Sequence, residues 1–303
     1  MILKLAKKYA KKYWIDKQDL AEIEKLSNDP LNANLHLEYA VYCSRRNRPY
    51  IAFSELKTAE HLGASPEEVG NLKQKLLAAI PDPQLMSHNK YFRFASLARE
   101  LNEKSLTGKI SVLDVGGGMG ELASFIPDYS YCLAEPSVNG ISGTNLPFSD
   151  QSFDYTVSCH VLEHIPIESR QLFLDQLMSK SKYGLILLNP FHLDGSSVED
   201  RLKLVIDITD ADWAKEHLDC SLPRLGDLEE YAKLKGLDIS TKPNGTMTTS
   251  LAFVFIEYFS KRKSDTVDKE KLNKFFNMEF ESGILDSKEW PNSYIVCLSR
   301  PEK

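Results

Sequence analysis

Val112-Leu-Asp-Val-Gly-Gly-Gly-Met-Gly120 runs as an apolar strand into a glycine-dense turn, with a helix expected from near Glu121. Glycines at 116, 118 and 120 remove a Cβ where the chain must turn tightly, approach a bulky polar ligand, or let helix and strand pack closely. Gly117 adds to the same bend. Asp114, at the strand end, can orient the loop or accept from an amine. A pyrophosphate on a helix N-terminus fits poorly, because the acidic strand end repels an anion where a cationic ligand is tolerated.

Outward from the turn, Tyr129-Ser-Tyr-Cys-Leu-Ala134 reads as a short strand ending in Glu135, about twenty residues on, where a carboxylate can accept both ribose hydroxyls of a nucleoside. Next comes Leu146-Pro-Phe-Ser-Asp-Gln-Ser-Phe-Asp-Tyr-Thr-Val-Ser-Cys-His-Val-Leu-Glu-His-Ile165. Together these stretches resemble the class I S-adenosylmethionine-dependent methyltransferases, in the type 11-like branch, from roughly Asn89 to the C-terminus. The resemblance implies S-adenosylmethionine as cofactor, held by Asp114, Gly116, Gly117, Gly118, Gly120, Glu135, Leu146 and His160. Ser142 stands where the family places its adenine-binding Asp, with Thr144 and Asn145 nearby, so a hydroxyl, a side-chain amide or backbone carbonyls are expected to hold the adenine amine.

Strand and helix candidates alternate from Ile110 onward, as a doubly wound, mostly parallel Rossmann-like sheet requires. Strands are expected at 110–115, 129–134, 153–159, 184–189 and 293–299, and helices at 119–126, 167–181 and 225–236. Between Glu135 and Leu146 there is too little chain for a helix and a full strand, so that crossover is expected to be shortened or irregular.

His160-Val-Leu-Glu-His164 falls where a strand gives way to a helix, at the ligand-binding edge of such a sheet, and its two histidines are expected to share one helix face. A hydroxyl acceptor needs a base for its proton. His164 is the first candidate and His192 the second, while a structural hydrogen-bonding role for His164 stands beside the catalytic one. No metal is assigned. Resemblance to quinone-pathway methyltransferases implies a divalent cation on Glu163 and His164 as an alternative, without a third protein ligand visible in the sequence.

Tyr91 and Arg93, on the helix before the first strand, are candidates for lining the site, though packing alone explains the aromatics. Trp213 and His217, expected on one helix face within a lid insertion at about 191–235, suit a sugar ring or planar substrate, or ordinary lid packing. By analogy with surface-glycan methyltransferases, a hydroxyl of a small-molecule or glycan-type acceptor is expected. The alternatives are a non-catalytic cofactor-binding scaffold and a metal-assisted enzyme of a quinone-like acceptor.

Residues 1–83 are read as an all-α region and 84–303 as the catalytic domain, the boundary marked by Ala78-Ala-Ile-Pro-Asp-Pro83. Asp29–Tyr42 and Pro49–Leu62 resemble the two helices of a tetratricopeptide repeat, with Ala40, Ala52 and Ala59 at close-crossing positions and Leu56 between them. A single unit needs neighbours for stability, and a partner-docking surface is the alternative to a structural cap. Residues 1–14 pattern as a basic amphipathic helix with Ile2, Leu5, Tyr9, Tyr13 and Trp14 on one stripe, expected to dock on its neighbours rather than on a membrane.

The chain has 303 residues, 42% of them hydrophobic, and no apolar run long enough to span a bilayer. A net charge of −6, with no arginine-rich tract or aromatic-basic alternation, argues against nucleic acid. Five scattered cysteines, Cys43, Cys132, Cys159, Cys220 and Cys297, read as reduced thiols in a cytoplasmic protein.

Overall fold

A computed structural model describes residues 16–105, 108–192, 198–260, 267–281 and 291–301. The basic amphipathic stretch at the N-terminus lies outside them, as do residues 193–197 of the lid. By contact density the chain forms two compact units: residues 1–81, 100–158 and 172–185, and residues 82–99, 159–171 and 186–303. This grouping cuts the chain differently from a single boundary near 83.

Helices α1 (Lys17–Asn28), α2 (Ala33–Arg45), α3 (Pro49–His61) and α4 (Pro66–Ala79) belong to the first unit. A capping box between Asp16 and Asp19 starts α1. Asp19 also takes both terminal nitrogens of Arg48 at 2.8 Å and the Tyr42 hydroxyl at 2.8 Å, so burying its charge is compensated. Ala40, Ala52, Leu56 and Ala59 are fully buried at the crossing of α2 and α3, where small side chains let two helices approach.

The strands are β1 (Ser111–Val115), β2 (Ser130–Ala134), β3 (Phe153–Cys159), β4 (Ser181–Asn189), β5 (Asp238–Asn244) and β6 (Ser293–Ser299), in one sheet of order β2-β1-β3-β4-β6-β5. β1 runs parallel to β2 (Leu113 opposite Cys132) and to β3 (Leu113 opposite Thr156). β5 and β6 are antiparallel, from Asp238 opposite Ser299 to Asn244 opposite Ser293. Val112, Leu113, Tyr131, Cys132 and Leu133 have no exposed surface, the continuous burial of parallel strands covered on both faces.

The chain between Glu135 and Leu146 forms only an isolated Ser142–Asn145 bridge, so β2 is left at the edge of the sheet. An edge strand presents unpaired backbone groups that a fold must cover. α3 covers this one: Thr58 Oγ1 accepts from the Leu133 N–H at 3.1 Å, and Lys57 Nζ donates to the Pro127 carbonyl at 2.7 Å. The helical region thereby completes the core of the first unit.

Two expected helices are shorter than the sequence suggests. The one at 119–126 contracts to a 3-10 turn, Glu121–Ser124, because Gly120 holds φ 80° at its start and Pro127 closes the chain soon after. Leu162–His164 is likewise a 3-10 turn: Ile165 is forced extended by Pro166, and α6 begins only at Ile167 and ends at Lys180. The expectation that His160 and His164 share a helix face is therefore corrected, since His160 precedes the turn at φ 55°.

α5 (His88–Lys104) carries Tyr91 and Arg93. The second unit continues through α7 (Val198–Thr209), α8 (Asp212–Cys220), α9 (Leu225–Lys235), α10 (Met247–Ser260) and α11 (Val267–Glu281). Leu251, Val254 and Phe255 of α10 pack against Leu202, Val205 and Ala214, which ties α7, α8 and α10 into one apolar cluster.

Candidate active site

In the first unit, Gly116, Gly118 and Gly120 adopt φ of 76°, 60° and 80°, left-handed values that exclude most side chains. At Gly117 the obstacle is space: a Cβ would lie 2.3 Å from Asp114 Oδ2 and 2.7 Å from Leu133 Cδ1. The Gly116 N–H donates to the Ala134 carbonyl at 2.8 Å, and the Gly118 N–H to Glu135 Oε2 at 3.2 Å. Glu135 Oε1 accepts from the Ser137 N–H at 3.0 Å and from its hydroxyl at 2.6 Å. The carboxylate that ends β2 is thus fixed against the turn that ends β1.

Asn139 buttresses this arrangement. Its Oδ1 accepts from the Glu135 N–H at 3.1 Å, and its Nδ2 donates to Glu55 Oε1 on α3 at 3.0 Å. Asp114 is buried, accepts from the Tyr131 hydroxyl at 2.8 Å and leaves Oδ1 without a hydrogen-bond partner. Burial pushes its carboxyl up to about 7, with Glu121 and Glu135 adding repulsion against the opposing Tyr131 hydrogen bond. Ser142 Oγ lies 3.0 Å from Thr144 Oγ1, and the Leu146 N–H donates to Gln176 Oε1 at 3.1 Å.

In the second unit, the 3-10 turn after β3 meets α8. Glu163 has no exposed surface, and its Oε2 accepts from Asn189 Nδ2 at the end of β4. Its Oε1 has no hydrogen-bond partner, although His160 Nδ1 lies 3.0 Å away. Nδ1 of His164 lies 3.0 Å from Glu216 Oε2, and its Nε2 lies 3.3 Å from Nε2 of His217. His217 Nε2 is 3.8 Å from Glu163 Oε1. Arg170 locks the turn to α8 by donating from Nε to the Ile165 carbonyl at 3.0 Å and from Nη2 to the Cys220 carbonyl at 2.9 Å.

Burial drives the His160 and His217 imidazoles down to about 4, aided by the Arg93 charge, and leaves both neutral at pH 7. Burial opposes the Glu163 charge, but the imidazoles around it hold its carboxyl below the ordinary range. Trp213 packs edge-on to His217, with ring centroids 5.3 Å apart. The backbone N–H of His192 donates to the Pro223 carbonyl at 2.8 Å. Tyr91 is 3% exposed, and Arg93 is partly buried with its Nε lacking a hydrogen-bond partner.

Asn189, Arg170 and Glu216 were not singled out in the sequence. Asn189 and Glu216 are distant in the chain from the residues they support, as Arg170 is from Cys220, and no local spacing marks these pairings.

A family model described as a methyltransferase domain matches residues 81–242. The chain belongs to this methyltransferase family. Among solved structures it is similar to the YcgJ protein from Bacillus subtilis, at 16% identity over 69% of this chain and 99% of that one, with TM-score 0.42. It is also similar to phosphoethanolamine N-methyltransferase 2 of Haemonchus contortus in complex with S-adenosyl-L-methionine, at 15% identity over 68% and 53% of the two chains, TM-score 0.42. Magnesium protoporphyrin IX methyltransferase from Synechocystis PCC 6803, solved with bound SAH, shares 11% identity over 76% and 94%, TM-score 0.43. No curated protein matches the chain. Among the described residues no helix is long and apolar enough to cross a membrane.

Proposed function

We propose that this methyltransferase binds S-adenosylmethionine at the glycine turn of its first unit and moves the methyl group to a hydroxyl of a small-molecule or glycan-type acceptor. The observation that carries the reading is the bond from the Gly118 N–H to Glu135 Oε2, which aims a carboxylate and an open turn at the same place. A ribose needs acceptors for two hydroxyls, and a preset carboxylate supplies them without reorganisation. The same features speak against a retired scaffold, which has no need of a glycine turn that strains every other residue type.

A hydroxyl is a poor nucleophile until its proton is removed, whereas an amine attacks as the free base. Imidazoles beside the buried carboxylate of Glu163 in the second unit offer proton acceptors for the first task, and this favours oxygen as the atom methylated. His164, the first sequence candidate for the base, lies in that cluster, and Trp213 gives it an aromatic wall for a planar or sugar ring.

The test is transfer of labelled methyl from S-adenosylmethionine across phenols, sugars and amines, with the product identified by mass spectrometry. Methyl ethers are expected. Products methylated only at nitrogen or carbon would refute the choice of a hydroxyl.

A further inference from the structure

We infer that Glu163, His164 and His217 form a binding site for a divalent transition-metal ion of the zinc type. The reading stands on geometry within the second unit. Each of the three residues offers one ligand atom, and these atoms lie within 4.8 Å of one another. A tetrahedral zinc ion with bonds of about 2.0–2.2 Å holds its ligand atoms about 3.3–3.6 Å apart. The two imidazole nitrogens are already 3.3 Å apart and His217 Nε2 is 3.8 Å from the carboxylate oxygen, so two edges of the set stand near that spacing and side-chain rotation would close the third, which is within 4.8 Å.

Three further observations point to a ligand. Glu163 has no exposed surface, and apart from His160 Nδ1, 3.0 Å away, its Oε1 meets no hydrogen-bonding group, so a cation beside it would offset the cost of burying its charge. Glu216 Oε2 sits against His164 Nδ1, so the proton stays on that nitrogen and the lone pair of Nε2 faces His217, the carboxylate–histidine support that metal-bound imidazoles use. Asn189 holds the other oxygen of Glu163, which fixes the carboxylate as a one-oxygen ligand.

The chemistry of the set selects the ion. Two imidazoles and one carboxylate suit zinc and its neighbours, whereas magnesium prefers an all-oxygen shell. Three protein ligands leave a fourth position open, as in catalytic rather than structural zinc sites. Partly exposed His164 gives that position access to solvent. The charged groups around it are Glu163, Glu216 and Arg93, so the bound ion carries a net positive field that favours an acceptor hydroxyl in its deprotonated form. That last step rests on the proposed function, and the metal site itself does not.

The full-length protein, stripped with chelator and dialysed, is titrated with zinc chloride, and bound metal is counted by plasma mass spectrometry. Cobalt(II) is added in a parallel sample for its visible spectrum. One zinc per chain and an intense tetrahedral cobalt band are expected. His217→Gln and Glu163→Gln should each weaken zinc binding tenfold or more, and Glu216→Gln about 10–100-fold. Cys220→Ser should leave it unchanged, since that thiol donates to the His164 carbonyl, 3.6 Å away, and is not one of the three ligands. Absence of saturable zinc and of the cobalt band in the wild type, or equal zinc binding by folded His217→Gln, would reduce the cluster to a hydrogen-bonded imidazole pair. Calorimetry with S-adenosylmethionine on the same samples separates the two claims: cofactor heat without zinc overturns the metal site alone, and zinc without cofactor heat overturns the proposed function alone.

Discussion

Asp114 shows what a single buried carboxyl costs and gains. In the folded chain its carboxyl titrates at about 7, against 3.8 for the ordinary group. The unfolded chain therefore loses its proton first, and the contribution of a neutral Asp114 to stability is complete below pH 4 and is lost as pH rises toward 7. The slope is about 1.4 kcal/mol per pH unit in that window for one such group. Asp114→Asn keeps the acceptor for the Tyr131 hydroxyl and removes the titration. Urea unfolding of the cofactor-free protein at pH 4.5 and pH 7 should show a smaller drop in stability for the variant than for the wild type. Equal drops would mean that Asp114 is ionised in the folded chain.

At the scale of elements, the missing strand after β2 explains why a helix lies at its edge. Thr58 accepts from an edge N–H that a neighbouring strand would otherwise take. Thr58→Val is nearly isosteric and leaves Leu133 without an acceptor, so it should lower stability by about 1–3 kcal/mol in urea denaturation. A loss below a few tenths of a kcal/mol would show that water serves Leu133 instead. Removal of residues 1–81 strips the same edge of Thr58 and its neighbour Lys57 together, and a chain starting near Gln84 is expected to lose cooperative unfolding. A truncated chain that melts cooperatively would restore the boundary suggested by the Ile80–Pro83 prolines.

Elements also show where the sequence was readable. β1, β2 and β3 were plain because buried parallel strands leave long apolar runs, and the turn with Glu135 was plain because its signals are local. β5 escaped because an outer strand with Pro243 and a largely exposed face carries no such run. The apolar run Leu251–Ile256 lies within α10, and a short run of that kind does not by itself tell helix from strand. The 3-10 turn at Leu162–His164 follows from Pro166, a local signal that also keeps the two histidines off a common helix face.

For the whole molecule, the cofactor candidates and the acid–imidazole cluster have different legibility for one physical reason. The turn and Glu135 lie within one strand–turn–strand unit, about twenty residues of chain. The cluster draws Glu163 and His164 from one turn, Asn189 from the end of β4 and Glu216 and His217 from α8, and only folding of the second unit assembles them. His217 was visible as a candidate for substrate contact, but its pairing with His164 was not.

Cofactor binding at the glycine turn remains the claim on which the functional reading depends. Calorimetric titration of the full-length protein with S-adenosylmethionine tests it most directly. The account predicts one site per chain, loss of binding in Gly118→Val, and weakening by about 1.5–3 kcal/mol in Glu135→Ala through lost charge-assisted hydrogen bonds. No saturable heat in the wild type, or unchanged affinity in both variants, would contradict it.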